Sequence, residues 1–165
     1  MIAIEKNEDE ETVTGYYNLQ TEGSGQKAIF MSQKEGKPNY MSLNGIDVFN
    51  YSVQLVPKNI RTLLTFADRS IDFPDLIVLH QANKIINETI RKNLKLDIEK
   101  VPSTLYEYGN TASASIPLTL GKAWDAGLKK SGWIMISGFG VGFSVASALI
   151  QFDPKVCESP VELEF

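Results

Sequence analysis

The sequence predicts an α/β layer domain with a mixed sheet covered by helices, and three observations carry that prediction. Short apolar runs at 75–79, 134–136 and 145–150 read as strands buried on both faces. Longer segments at 45–66, 83–95 and 112–129 carry apolar residues at helical spacing. The two kinds of segment follow one another as β β α β α α β β, a succession that layered sheets accommodate.

Each element has its own signal. Residues 1–5 are short and apolar, a first strand; Glu5, Glu8, Asp9, Glu10 and Glu11 then form a charge run that reads as a solvated turn. Residues 12–20 are β-branched and aromatic, a second strand. Residues 21–44, rich in Gly, Ser, Lys and Asn and containing Pro38, read as a long loop. In 45–66 the apolar residues Val48, Phe49, Val53, Val56, Ile60, Leu63 and Leu64 share a helix face, and Pro57 is expected to kink or restart the helix. Residues 75–79 form a strand that ends at His80. The helix at 83–95 follows, with Ile85, Ile86, Thr89, Ile90 and Leu94 on one side. Residues 104–110 lead into the helix at 112–129, which turns Ile116, Leu120, Ala123, Trp124 and Leu128 inward and holds Pro117 in its first turns, where proline is best tolerated.

Composition excludes several function classes. The chain of 165 residues, 43% hydrophobic, suffices for one domain with a core. A net charge of −4 and a pI of about 5.1 leave no basic footprint for nucleic acid. The single cysteine rules out a disulfide framework and suits a reducing cytoplasm, the expected location. One His and one Cys give no basis for a metal site. Residues 1–5 lack the basic and apolar regions of a signal peptide. Residues 131–152 carry no charge and are long enough to raise a membrane span, with Gly138 and Gly142 at small-xxx-small spacing. Three glycines interrupt that stretch and no basic flank follows, so it reads as two buried strands and a glycine turn, with no membrane partner.

The residues that carry chemistry sit where strands or loops hand over to helices. His80 is the only histidine, in His80-Gln81-Ala82-Asn83; Asn110 lies in Tyr108-Gly109-Asn110-Thr111-Ala112-Ser113-Ala114-Ser115-Ile116-Pro117. A neutral imidazole N–H and an amide N–H converging on one oxygen would stabilise a developing oxyanion without carrying net charge. Local sequence alone is equally served by a buried, satisfied histidine and by an asparagine helix cap. Gly138-Phe139-Gly140-Val141-Gly142-Phe143 reads as a tight strand connection that also offers backbone N–H groups; no Gly-Lys-Ser/Thr follows it to make a phosphate loop. Cys157 lies among acids, which raise a thiol pKa, so it is not read as a nucleophile; Ser113 and Ser115 lack an obvious base. The pair His80 and Asn110 therefore looks like half of an active site.

These three blocks, with Leu43-Asn44-Gly45-Ile46-Asp47-Val48-Phe49, resemble in order and spacing the C-terminal half of β-ketoacyl-acyl-carrier-protein synthase III across residues 1–152, leaving 153–165 as a tail. The resemblance implies the C-terminal half of a thiolase-like fold, with a five-stranded mixed sheet covered by helices. It implies an acyltransferase that joins an acyl group from acyl-CoA to malonyl-acyl carrier protein with loss of CO₂, as in fatty acid biosynthesis. These phosphopantetheine thioesters are substrates, and no permanently bound cofactor is implied. His80 and Asn110 would bind the malonyl thioester oxygen, and Gly140, Val141 and Gly142 would complete the acyl oxyanion hole through the Val141 N–H. Gln81, Ala82, Asn83, Lys84 and Ile85 fall where the family meets its carrier protein. The family's arginine there is replaced by Ile85, leaving Lys84, Arg91, Lys92 or Lys95 to substitute. The partners implied are an N-terminal, cysteine-bearing half, an acyl carrier protein and a dimer of such pairs. Without that half the domain should expose a large apolar patch and be inactive. The competing expectation is a non-catalytic module that keeps the fold and binds an acyl chain or a partner.

Overall fold

The computed structural model describes residues 15–32, 36, 39–127, 131–153 and 159–161. The strand expected at 1–5, the acidic turn and Cys157 lie outside the described residues. The segment Tyr16–Thr21 forms β1, and Ile29–Ser32 and Tyr40–Leu43 form β2 and β3. The long helix Gly45–Phe66 is α1, Leu76–Leu79 is β4 and Lys84–Leu94 is α2. Leu105–Tyr108 is a single turn, α3; Ser115–Asp125 is α4; Gly132–Gly140 and Ser144–Phe152 are β5 and β6.

Four strands make one sheet in the order β1-β6-β5-β4, antiparallel except for the parallel β4–β5 pair. The mixed sheet is thus as predicted, with four strands among the described residues. Every residue of β4 is buried, as expected of a strand covered on both faces. On one face, α1 and α2 bury Val56, Ile60, Leu63, Ile86 and Ile90 against Ile77, Leu79, Met135, Val145 and Leu149. On the other, Ile116, Leu120 and Ala123 of α4 pack on Leu76, Val78 and Ile134.

Among the described residues this second face is only half covered. Register places Tyr17 beside Ala148 and Leu19 beside Ala146, and these rows continue through Ile136 and Gly138 of β5. Tyr17 is 63% and Leu19 77% exposed, and an open depression of about 460 Å³ runs along Leu19, Ala146, Gly138 and Gly140. The uncovered patch expected from the sequence is therefore a sheet face beside α4.

Two expectations need correction. Residues 21–44 are not one long loop. A 3-10 turn at Gly23–Lys27 leads into the antiparallel β2–β3 ribbon, in which Met31 faces Met41 and Ile29 faces Leu43. Composition suggested a loop, whereas the runs Ile29-Phe30-Met31 and Tyr40-Met41 suit a pleated surface. Pro57 does not interrupt α1, which continues for 22 residues. Proline cannot donate to the carbonyl of Val53, and the Asn93 amide approaches that carbonyl at 3.5 Å in its place, a long contact. Arg61 fixes Asn93 through its carbonyl and side-chain oxygen at 2.6 and 3.0 Å.

Helix ends are capped where the sequence places asparagines. The Asn44 side chain accepts from Ile46 N and Asp47 N, and Asn83 accepts from Ile86 N at 2.9 Å. Ile60, fully buried between α1 and the sheet, tests the core: Ile60→Ala should cost about 2–5 kcal/mol. Urea unfolding should show a lower midpoint with an unchanged slope.

Candidate active site

β4 ends by handing its last ladder bond to His80, whose N–H donates to Ser137 O at 2.8 Å. This places His80 in register with Gly138, at the end of the row that opens onto the uncovered sheet face. The His80 carbonyl accepts from Ala82 N at 3.0 Å and from the Asn87 amide at 3.1 Å. Its half-buried imidazole stands edge-on to Phe139, with ring centroids 5.2 Å apart. Nδ1 lies 2.8 Å from Ser115 Oγ, at the first residue of α4.

Asn110 reaches the same place from the α3–α4 connection. Gly109, at φ 65° and ψ −151°, supplies a backbone conformation that only glycine adopts readily. The Asn110 side-chain oxygen accepts from Ala112 N at 2.9 Å, the local turn typical of asparagine. Its Nδ2 donates to Ala82 O at 3.3 Å, tying the loop to the segment after His80. An amide nitrogen carries two hydrogens, so one is left to donate elsewhere. Asn110 is thus not a helix cap, and its amide is bonded to the segment that follows His80.

The third block meets His80 through Phe139. Val141 is 65% exposed in the turn between β5 and β6, and Gly142 sits at φ 138°, where a Cβ would collide with Ser144. The turn is held by paired bonds between Glu22 and Phe143, at 2.8 and 3.1 Å, and by Tyr51 stacked on Phe143 at 5.6 Å. His80, Asn110 and this turn thus gather around the C-terminal ends of β4 and β5, where sheets of this kind bind ligands.

Residues 64–152 match the family model described as 3-Oxoacyl-[acyl-carrier-protein (ACP)] synthase III C terminal. The chain belongs to this family. It is 40% identical over 128 residues to the beta-ketoacyl-[acyl-carrier-protein] synthase III of Trichodesmium erythraeum, covering 77% of this chain and 38% of that protein. The corresponding protein of Trichormus variabilis is 36% identical over 143 residues, which cover 86% of this chain and 43% of that one. The crystal structure of a 3-oxoacyl-(acyl-carrier protein) synthase from Burkholderia xenovorans superposes with a TM-score of 0.84 at 28% identity, over 94% of this chain and 49% of that one. The fold is thus that of the thiolase-like synthase III proteins, and the chain spans less than half the length of each of these relatives.

Within the synthase III frame, the expected carrier-contact residues separate. Gln81 is fully buried, with Nε2 donating to Leu79 O at 2.8 Å and Oε1 accepting from Ser103 Oγ and Thr104 N at 3.1 Å each. It is a bracket inside the protein and cannot meet a partner. Ala82 is half-buried, while Asn83, Lys84 and Ile85 are exposed, Ile85 at 71%. Of the substitute cations, Arg91 is spent internally, bonding Glu88 at 2.8 Å and Leu96 O at 2.6 Å, whereas Lys84, Lys92 and Lys95 are exposed. Ser113 is exposed without a base, and Ser115, although beside His80, is 1% exposed and closed to substrate, so neither is placed as a nucleophile. The described residues hold no cluster of metal ligands and no helix long and apolar enough to cross a membrane.

Burial holds the His80 pKa below its ordinary 6.5, with a backbone hydrogen bond at Ala112 working the other way. The fold therefore prefers the neutral ring. The stability His80 contributes is fully present above pH 6.5 and is lost as pH falls from there through the folded-state value. Proton NMR of this lone histidine should give a titration midpoint below 6.5; a midpoint above it would mean the site favours imidazolium.

Proposed function

We propose that this chain supplies the decarboxylation half of a decarboxylative Claisen condensation, in which an acyl group held on a cysteine is joined to malonyl-acyl carrier protein. The observation that carries this reading is that the Asn110 amide is tied to Ala82, two residues after His80, whose burial favours the neutral ring at the end of the half-covered face. As the malonyl group loses CO₂, charge builds on its thioester oxygen. The His80 Nε2–H and the free Asn110 N–H would stabilise that enolate, each donor contributing a few kcal/mol. A neutral imidazole suits the task, because it donates without becoming a stable counter-ion for the bound carboxylate.

The nucleophile is not among these residues. The reading assigns it to a cysteine-bearing half, on the same polypeptide or another, that covers Tyr17 and Leu19 and sets its cysteine near the glycine turn. There the Val141 backbone N–H would help bind the acyl oxygen. The acyl carrier protein would approach Asn83, Lys84 and Ile85 with Lys84, Lys92 or Lys95 meeting its acidic surface, and the working assembly would be a dimer of such pairs.

The test is CO₂ release from labelled malonyl-acyl carrier protein by this chain assembled with a cysteine-bearing half. His80→Ala or Asn110→Ala should each lower the rate by about 10²–10³ while the assembly still forms. Assembly with release unaffected by both changes would instead mark a module that binds without catalysing.

A further inference from the structure

We infer that Ser115 is a positioning residue whose hydroxyl fixes the His80 ring in the tautomer that carries its proton on Nε2. Ser115 is 1% exposed, and among the described residues its Oγ has two partners, the Gln81 backbone N–H at 3.2 Å and His80 Nδ1 at 2.8 Å. The Gln81 N–H can only donate. Of these two partners only Nδ1 can accept the hydroxyl hydrogen. If Nδ1 carried a proton instead, Ser115 Oγ would receive two donors and its own hydrogen would be orphaned in a buried place. With Nδ1 accepting, the neutral ring's one N–H is Nε2.

The surroundings hold Ser115 in this geometry. Thr119 Oγ1 donates to the Ser115 carbonyl at 2.7 Å, which leaves that hydroxyl to accept from Thr104 Oγ1 at 2.8 Å. The Thr104 N–H in turn donates to the Gln81 side chain at 3.1 Å. Gln81, Thr104 and Thr119 are each at most 4% exposed, so water offers these groups no alternative partners. The ring of donors thus has one consistent direction, and it ends on the imidazole. The inference rests on the proposed role of His80 only for its catalytic consequence; the tautomer is observable without any reaction.

His80 is the only histidine, so long-range proton–nitrogen spectra of the uniformly ¹⁵N-labelled chain contain one imidazole. Above the titration, the expected result is a single Nε2–H tautomer with Nδ1 shifted as a hydrogen-bonded acceptor. Ser115→Ala should move Nδ1 toward the shift of a free pyridine-type nitrogen and admit the Nδ1–H form. Ser115→Cys, a weaker donor of similar size, should fall between the two. An Nδ1–H ring in the unaltered chain overturns the inference, because the Ala112 backbone rather than Ser115 would then set the ring. A Ser115→Ala ring identical to the unaltered one overturns it as well. Loss of CO₂ release with these spectra as expected would count against the proposed function alone.

Discussion

The site depends on one buried side chain, the amide of Gln81. Its Nε2 closes back on the Leu79 carbonyl at the end of β4, its oxygen takes Ser103 and Thr104, and its backbone N–H takes Ser115. Strand end, connecting segment and α4 are thereby fixed to one another by bonds that water cannot replace. The Leu79 carbonyl and the Thr104 N–H, both on buried residues, would be left unsatisfied if the amide were removed, which is costly in a way that a lost surface bond is not. His80 inherits its place from this bracket, and Asn110 reaches the same segment through Ala82.

The second constraint is electrostatic. Burial of His80, with no carboxylate bonded to its ring among the described residues, favours the neutral imidazole. A neutral donor serves an oxygen on which charge appears only as reaction proceeds. The third is geometric: the row Leu19, Ala146, Gly138 is small and apolar toward its centre, lies open, and ends at His80. An element covering Tyr17 and Leu19 would also close the site against water. On the proposed function, catalysis and completion of the fold would be coupled through the same face.

Much of this was legible in the sequence. The helical stripe from Val48 to Leu64, the strand ending at His80 and the glycine turn were readable because local periodicity and burial agree there. The β2–β3 ribbon was not, because its polar composition hides two short β-prone runs whose pairing is a property of register. The continuity of α1 through Pro57 was not legible, because the Asn93 amide that approaches the Val53 carbonyl comes from another helix. Gln81 was misjudged, and the contact of Ser115 with His80 missed, for a related reason. Sequence shows polar residues beside a catalytic candidate, but burial and partners decide whether they face a ligand or brace the residue that does. Ser115 lies 35 positions from His80, a separation at which no local pattern signals contact.

The central claim is that this domain works as one half of a two-half catalyst joined across the open sheet face. Its most direct test is native mass spectrometry of the chain expressed with the cysteine-bearing N-terminal half of a synthase III relative, with Tyr17→Lys and Leu19→Lys as a paired control. The account predicts a complex containing equal numbers of the two halves, abolished by the paired lysines. A folded chain that keeps its own mass in the presence of the other half, or a complex indifferent to the two lysines, would contradict it.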